Sequence, residues 1–276
     1  MNWNGLELPD KNIYFQDDDV IIYNADCRDL LPLIPNKSID LVLTDPPYGI
    51  GVNYGVYADN KLTYWDWFLP ILAMMRDVAR KIVFTHNVQS LLHINGWDYI
   101  GVWQKPFYRG SRLGNSCIIP SWEPIYLFGI HTMGVKTKGR YDVFSFHVEK
   151  TGLHPDSIGR RAWKELDTDL HPCPKPVGLF QELLQTFSQD TQEIILDPFL
   201  GSGTTAYCAK KLGRKCIGIE ISEEYCAIAA KRCSQAVMAL PIEPNPKEVK
   251  SSEIFFPLLD GIEGKELRGL IENEHH

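Results

Sequence analysis

The chain has 276 residues, 44% of them hydrophobic and 23% charged, with a formal net charge of −7. This is the composition of a folded chain with a sizeable core, one large domain or one domain with an insertion, and it excludes a disordered polymer. The first residues lack a basic segment followed by an apolar one, and no apolar run approaches the roughly 20 residues of a membrane span, so neither secretion nor a membrane is expected. The seven cysteines are scattered, form no C-x-x-C pair and match no zinc spacing. Free thiols in a reducing cytoplasm and no metal are therefore expected, with Cys208, Cys216, Cys226 and Cys233 as core fillers.

In chain order, short β-branched runs at Val20–Tyr23, Ile39–Leu43, Ile82–Thr85, Ile100–Trp103, Ile125–Phe128, Glu193–Leu196 and Cys216–Ile219 read as strands. Most are continuously apolar, the pattern of strands buried on both faces of a largely parallel sheet. Between them, "WDWFLPILAMMRDVARK", "PVGLFQELLQTFS", "TTAYCAKKLGR" and "SEEYCAIAAKRC" have helical spacing. Pro70 is expected in the first turn of the first of these, where its missing N–H is harmless, and Trp65, Trp67 and Phe68 on its core face. Strands alternating with helices predict an α/β fold with helices on both faces. Residues 131–170 break the pattern. Up to residue 164 they carry Lys136, Lys138, Arg140, Lys150, Arg160, Arg161 and Lys164 against Asp142, Glu149 and Asp156, a basic insertion in an acidic chain. After Leu240, "PIEPNPKEVKSSE" reads as a linker, and the segment beyond it as an added hairpin or short helix, a candidate subunit contact.

Two motifs carry chemistry. "LVLTDPPYGIGV" (Leu41–Val52) ends a strand with an acid, two prolines and a tyrosine. The prolines stop the ladder and leave a carbonyl without a sheet partner. "EIILDPFLGSGTTAYCAKKLGRKCIGIEIS" runs from a buried strand ending at Asp197, through Gly201-Ser202-Gly203, into a helix and a second strand ending at Glu220. Glycines allow close approach of backbone to ligand, and an acid ending the second strand of such a unit commonly holds a ribose. Gly201, Gly203 and Ala206 also satisfy G-x-G-x-x-A, so a nicotinamide dinucleotide site is the first rival. The intervening "DPFL" counts against it, because an acid there suits a ligand with an ammonium end, not a pyrophosphate.

Together, "TDPPYG" and "DPFLGSGTT" resemble the amino-directed DNA methyltransferases, over roughly Val20 to Cys233. The catalytic motif precedes the cofactor motif, as in the β-type order of that family. "WEPIYLF" (Trp122–Phe128) and "HPCPKPVGLFQELLQTFS" (His171–Ser188) resemble further family segments. The resemblance implies a Rossmann-like methyltransferase fold, S-adenosyl-L-methionine as cofactor, double-stranded DNA as substrate, and a homodimer or a cognate restriction enzyme as further partners. It assigns catalysis to Asp45, Pro46, Pro47 and Tyr48: Asp45 and the Pro46 carbonyl accept the two N–H groups of a base amino group, and Tyr48 stacks on the flipped ring. It assigns the cofactor to Asp26 with Cys27 beside it, Asp45, Lys175 near the cofactor carboxylate, Asp197, Phe199, Gly201, Ser202, Gly203, Thr204, Glu220 on the ribose and Ile221 flanking the adenine. Asp26 and Thr204 read equally as helix caps, and Lys175 as a surface lysine. An aspartate opening the motif goes mostly with adenine N6, with cytosine N4 as the alternative. Protein glutamine methyltransferases have the opposite motif order, and Pro172-Cys173 lacks the neighbours of a cytosine-C5 nucleophile.

Residues 1–129 are thus expected to form the catalytic half, 130–170 a target-recognition insertion, 171–240 the cofactor half and 241–276 an extension. Arg109, Arg112, Lys136, Lys138, Arg140, Arg160 and Arg161 are the candidate DNA contacts, through phosphates. The loop with Tyr54 and Tyr57 could close over the base. His86 and Asn87 end a strand at the edge where ligands gather.

Overall fold

The structure is a computed structural model that describes residues 2–3, 6–51, 62–105, 121–130, 142–145 and 175–235. All of them fall within the compact unit Met1–Val237. The strands are β1 (Asn2–Trp3), β2 (Leu6–Glu7), β3 (Ile13–Gln16), β4 (Val20–Asn24), β5 (Ile39–Thr44), β6 (Ala79–Thr85), β7 (Tyr99–Gln104), β8 (Trp122–Phe128), β9 (Val143–Ser145), β10 (Ile194–Asp197) and β11 (Lys215–Glu220). The α-helices are α1 (Cys27–Leu30), α2 (Tyr64–Val78), α3 (Val177–Phe187), α4 (Thr204–Lys211) and α5 (Glu223–Ser234). β1 and β2 pair with each other; the rest form one sheet in the order β3-β4-β11-β10-β5-β6-β8-β7-β9.

The five strands from β4 to β6 in that order are mutually parallel. Antiparallel β3 flanks them on one side and antiparallel β8 on the other. The expected mostly parallel α/β sheet is therefore what forms. Its strands feed both faces, as period-2 side chains must. Ile21, Tyr23, Val42, Ile82, Phe84 and Leu196 pack under α1 and α2; Val20, Ile22, Leu41, Leu43, Val83 and Ile195 pack under α3, α4 and α5. Cys208, Cys216, Cys226 and Cys233 are fully buried there, as expected.

Three features depart from the sequence reading. α2 begins at Tyr64, so Pro70 sits inside it and not in its first turn. The reason is apolar burial: Tyr64 and Phe68 are the deeply buried side chains, and the helix extends back to include Tyr64. Trp65 and Trp67 pack only partly buried against the same core. Strands β1, β2, β3 and β9 were not expected; β9 lies inside the basic insertion and pairs in parallel with β7. The segments at Ile100 and Ile125 are strands, but their neighbours in the sheet set β8 antiparallel to both β6 and β7. Among the described residues no helix is long and apolar enough to cross a membrane.

Candidate active site

Because β4, β11, β10, β5 and β6 run parallel, their carboxyl ends share one edge of the sheet. The chain leaves β5 through α2 to β6 on one side, and leaves β10 through α4 to β11 on the other. The order reverses between β10 and β5, and a crevice opens at such a point. Both motifs sit there. Register aligns Val42 with Leu196, so Asp197 and Asp45 end neighbouring strands.

The Asp45 carboxylate collects partners from three elements. Oδ1 accepts the Tyr48 hydroxyl at 2.7 Å and the Thr85 hydroxyl from the end of β6. Oδ2 lies 3.0 Å from the Lys175 ammonium. Burial pushes the Asp45 carboxyl up, Lys175 opposes that, and the Glu123 charge adds to it. Burial and the same two acids raise Tyr48 well above the usual phenol range, so it stays a donor. The Tyr48 hydroxyl also lies 2.9 Å from Glu123 Oε2, and Glu123 Oε1 is paired with Lys105.

A second chain of bonds fixes the proline turn. The Asn87 N–H donates to His86 Nδ1 at 2.9 Å, which leaves the proton of the neutral ring on Nε2. His86 Nε2 is 2.8 Å from the Tyr64 hydroxyl, and that hydroxyl donates to the Pro47 carbonyl. Burial holds His86 down to about 3, so the ring is neutral. It stacks on Tyr48 at 4.8 Å, and Asn87 Nδ2 donates to the Tyr48 carbonyl. The Pro46 carbonyl takes no hydrogen bond from the described residues.

On the β10 side, Asp197 is 2% exposed. Thr44 and Thr205 each donate to it at 2.5 Å, and the Phe199 N–H at 3.0 Å. Burial pushes its carboxyl up to about 6. It clasps the two motifs together and presents no open face, contrary to the expectation of an acid over the ligand. The glycine loop is shaped by conformation: Gly201 has φ 53° and Gly203 φ 82°, and a Cβ on Gly203 would come within 2.8 Å of Ala229. Glu220 accepts the Gly201 N–H at 2.7 Å and the Ser222 N–H at 2.8 Å. Ile221 beside it is 46% exposed. Asp26 caps α1 and holds Arg28 by both oxygens, the shortest contact at 2.6 Å. Cys27 is buried, its thiol pushed up to about 12.

The family described as DNA methylase, of the N6/N4 methyltransferase type, matches residues 39–231, well over half of the chain. The chain belongs to the N6/N4 DNA methylase family. Type II methyltransferase M.ScaI of Streptomyces caespitosus is 27% identical, covering 82% of this chain and 85% of that enzyme. Type II methyltransferase M.HinfI of Haemophilus influenzae is 25% identical, covering 83% and 70%. The structure of PvuII DNA methyltransferase (cytosine-N4-specific) superposes with a TM-score of 0.61 over 81% of this chain and 89% of that one, at 19% identity. The complex of M1.HpyAVI with SAM gives 0.52 over 77% and 99%, at 20% identity. These two likenesses establish the methyltransferase fold.

In this N6/N4 DNA methylase the expected site residues fall into two groups along the crevice. Asp45, Pro46, Pro47, Tyr48 and Lys175 lie at one end; Asp26, Cys27, Phe199, Gly201, Ser202, Gly203, Thr204, Glu220 and Ile221 line the ends of β4, β10 and β11, with Asp197 between the groups. Lys175 stands against Asp45 because its ammonium, 11% exposed, needs counter-charge, and among the described residues Asp45 and Glu123 are the acids within 4 Å of it. Thr85, Tyr64 and Glu123 belong to the site and were not singled out by the sequence. The "WEPIYLF" segment held Glu123, but only the register of β8 against β6 brings it to Tyr48. Arg109, Arg112, Lys136, Lys138, Arg140, Arg160 and Arg161, with Tyr54 and Tyr57, lie outside the described residues.

Proposed function

We propose that this enzyme transfers the methyl group of S-adenosyl-L-methionine to the exocyclic N6 of an adenine flipped out of double-stranded DNA. The observation that carries the reading is the acceptor pair at the end of β5: the Asp45 carboxylate, held by Thr85, beside a Pro46 carbonyl with no partner among the described residues, next to the Tyr48 ring. An exocyclic amino nitrogen is a poor nucleophile because its lone pair is delocalised into the ring. Two acceptors for its N–H groups localise that pair on nitrogen. The gain comes from positioning and electrostatics. As the N–CH3 bond forms, the S–CH3 bond breaks with its electrons left on sulfur, and one N–H proton departs through the acceptor side of the site. The aspartate opening the motif favours adenine.

The residues at the other end of the crevice fit the cofactor, which when bound supplies a sulfonium methyl. Glu220 uses two of its roughly four lone-pair positions on the protein and keeps the others for ribose hydroxyls. Ile221 offers an exposed apolar surface for a purine ring, and Gly201 allows backbone approach for Phe199 and Ser202 around the methionine part. The side-chain bonds of Asp26 go to the Arg28 N–H and to its guanidinium, which is 53% exposed and leaves when Asp26 meets the adenine amino group. Thr204 opens α4 next to the N-cap Gly203, and its hydroxyl accepts from the Arg232 guanidinium at 3.1 Å. A target-recognition role for the basic residues of 130–170, the β-type grouping, a homodimer and a partner restriction enzyme belong to the same proposal; the Type II names of the two relatives support the last.

Mass spectrometry of nucleosides from DNA treated with the enzyme and cofactor tests this. N6-methyladenine is the expected product. N4-methylcytosine without N6-methyladenine would overturn the adenine assignment and leave the reaction class standing. NAD binding with no S-adenosylmethionine binding would overturn both.

A further inference from the structure

The Lys175 ammonium stands where the proposed reading puts the target amino group. It is 3.0 Å from Asp45 Oδ2 and 4.7 Å from the centre of the Tyr48 ring. A cation on that ring face and on that oxygen excludes a base from both. Lys175 is nearly buried, and a buried ammonium that leaves one carboxylate must find another. Glu123 Oε2 is 3.7 Å from the same nitrogen. A shift of roughly 1 Å brings the two to hydrogen-bond distance. Glu123 is held ready for this: it is 8% exposed, Lys105 anchors Oε1, and Trp103 pairs with it across β7 and β8.

We propose that Glu123 is a positioning residue of methyl transfer, the second station to which the Lys175 ammonium moves when the target amino group takes its place on Asp45. The Tyr48 hydroxyl makes the exchange reciprocal. It has one proton and two acceptors, Asp45 Oδ1 at 2.7 Å and Glu123 Oε2 at 2.9 Å. With Lys175 on Asp45, the phenol lies between the two acids, within reach of both. With Lys175 on Glu123, the phenol commits to Asp45, which then holds donors from Tyr48, Thr85 and the base. No charge enters or leaves the site, so the exchange avoids the desolvation of an unpaired ion. This rests on the methyltransferase reading above.

The test is methyl-transfer kinetics at saturating cofactor for the wild type, Glu123→Gln, Lys175→Met and the double variant, with cofactor affinity measured by calorimetry. Glu123→Gln keeps an acceptor for Tyr48 but gives no counter-charge to the lysine, so Lys175 stays on Asp45. Its kcat is expected to fall roughly tenfold to a hundredfold with cofactor Kd unchanged. Removing the ammonium in that background, as Lys175→Met, restores most of the lost rate; a purely structural role for Glu123 would not allow such rescue. Lys175→Met alone lowers KM for DNA, which keeps the idea testable if Glu123→Gln fails to fold. Wild-type kcat in Glu123→Gln, or a double variant slower than Glu123→Gln, overturns the proposal. So does a weakened cofactor Kd in Lys175→Met without the drop in KM for DNA. If the wild type methylates no DNA, the functional reading itself fails; an active wild type with any of these other outcomes defeats the Glu123 role alone.

Discussion

His86 and Tyr64 hold the proline turn without touching the proposed base position. The order of donors is set by one observation, the Asn87 N–H on His86 Nδ1. It makes Nε2 the protonated nitrogen and Tyr64 the donor to the Pro47 carbonyl. Nitrogen-15 NMR of the imidazole should therefore show the Nε2–H tautomer, with no titration between about pH 5 and 8, since burial keeps the ring neutral. A ring that titrates near 6.5 would break this chain. Tyr64→Phe removes the bonds to Pro47 and His86 and leaves a buried carbonyl acceptor and a buried imidazole donor unserved, at about 1–3 kcal/mol in urea unfolding. Asp45→Ala is expected to cut kcat by at least about a hundredfold, because an acceptor aimed at developing charge is lost, while calorimetry finds cofactor binding retained. Equal loss of binding would make Asp45 a cofactor residue only.

Helix α4 shows how an element is fitted to a ligand loop. Its N-cap, Gly203, has φ 82°, which strains any L side chain, and a Cβ there would meet Ala229 at 2.8 Å. Gly203→Ala should destabilise by about 1–3 kcal/mol and displace α5 from α4; an unchanged urea midpoint would contradict the packing. Pro70 within α2 is a different matter: it removes the N–H that Asp66 would otherwise receive, and it is exposed. Both cases bear on what a sequence reveals. The ends of β5 and β10 were legible because continuous apolar runs stop at polar residues, and the tight turn of the glycine loop because paired glycines follow a buried strand, though the same spacing left a dinucleotide rival open. The start of α2 was not, because proline propensity argued for a later start while burial of Tyr64 and Phe68 decided the matter. Strand β3 alternates exposed and half-buried residues over four positions, too short for a periodicity to declare itself. Thr85 and Glu123 reach Asp45 and Tyr48 from 40 and 75 residues away, through strand registers that local pattern does not encode. Lys175, expected near the cofactor carboxylate or on the surface, is 11% exposed and meets Asp45, a pairing that burial decides.

At the scale of the molecule, the sheet places a cluster of ionisable groups at a single edge, and their burial couples folding to pH. Two of them pull in opposite directions. Asp197 titrates at about 6 in the folded protein, against about 4 when unfolded. Between those values the native state holds a proton that the unfolded chain has lost, so this group's contribution is full below about pH 4 and is lost as pH rises through 6. His86 runs the other way. Its folded value is about 3 and its ordinary value 6.5, so the unfolded chain gains a proton first, and stability is lost as pH falls from 6.5 towards 3. Between pH 6 and 4 the two nearly cancel, one proton gained by the unfolded chain at His86 against one held by the folded protein at Asp197, so the loss from this pair falls above about pH 6 and below about pH 4. Asp197→Asn cannot take up a proton. It removes the offset, and although it also weakens the clasp of Thr44 and Thr205, that loss is nearly constant with pH once Asp197 would be charged. Urea unfolding at a series of pH values should show the variant losing stability more steeply than the wild type between pH 6 and 4, with the two curves parallel above about pH 7. Parallel curves throughout would mean that Asp197 has an ordinary carboxyl pKa and that its burial between the two motifs exerts no electrostatic strain.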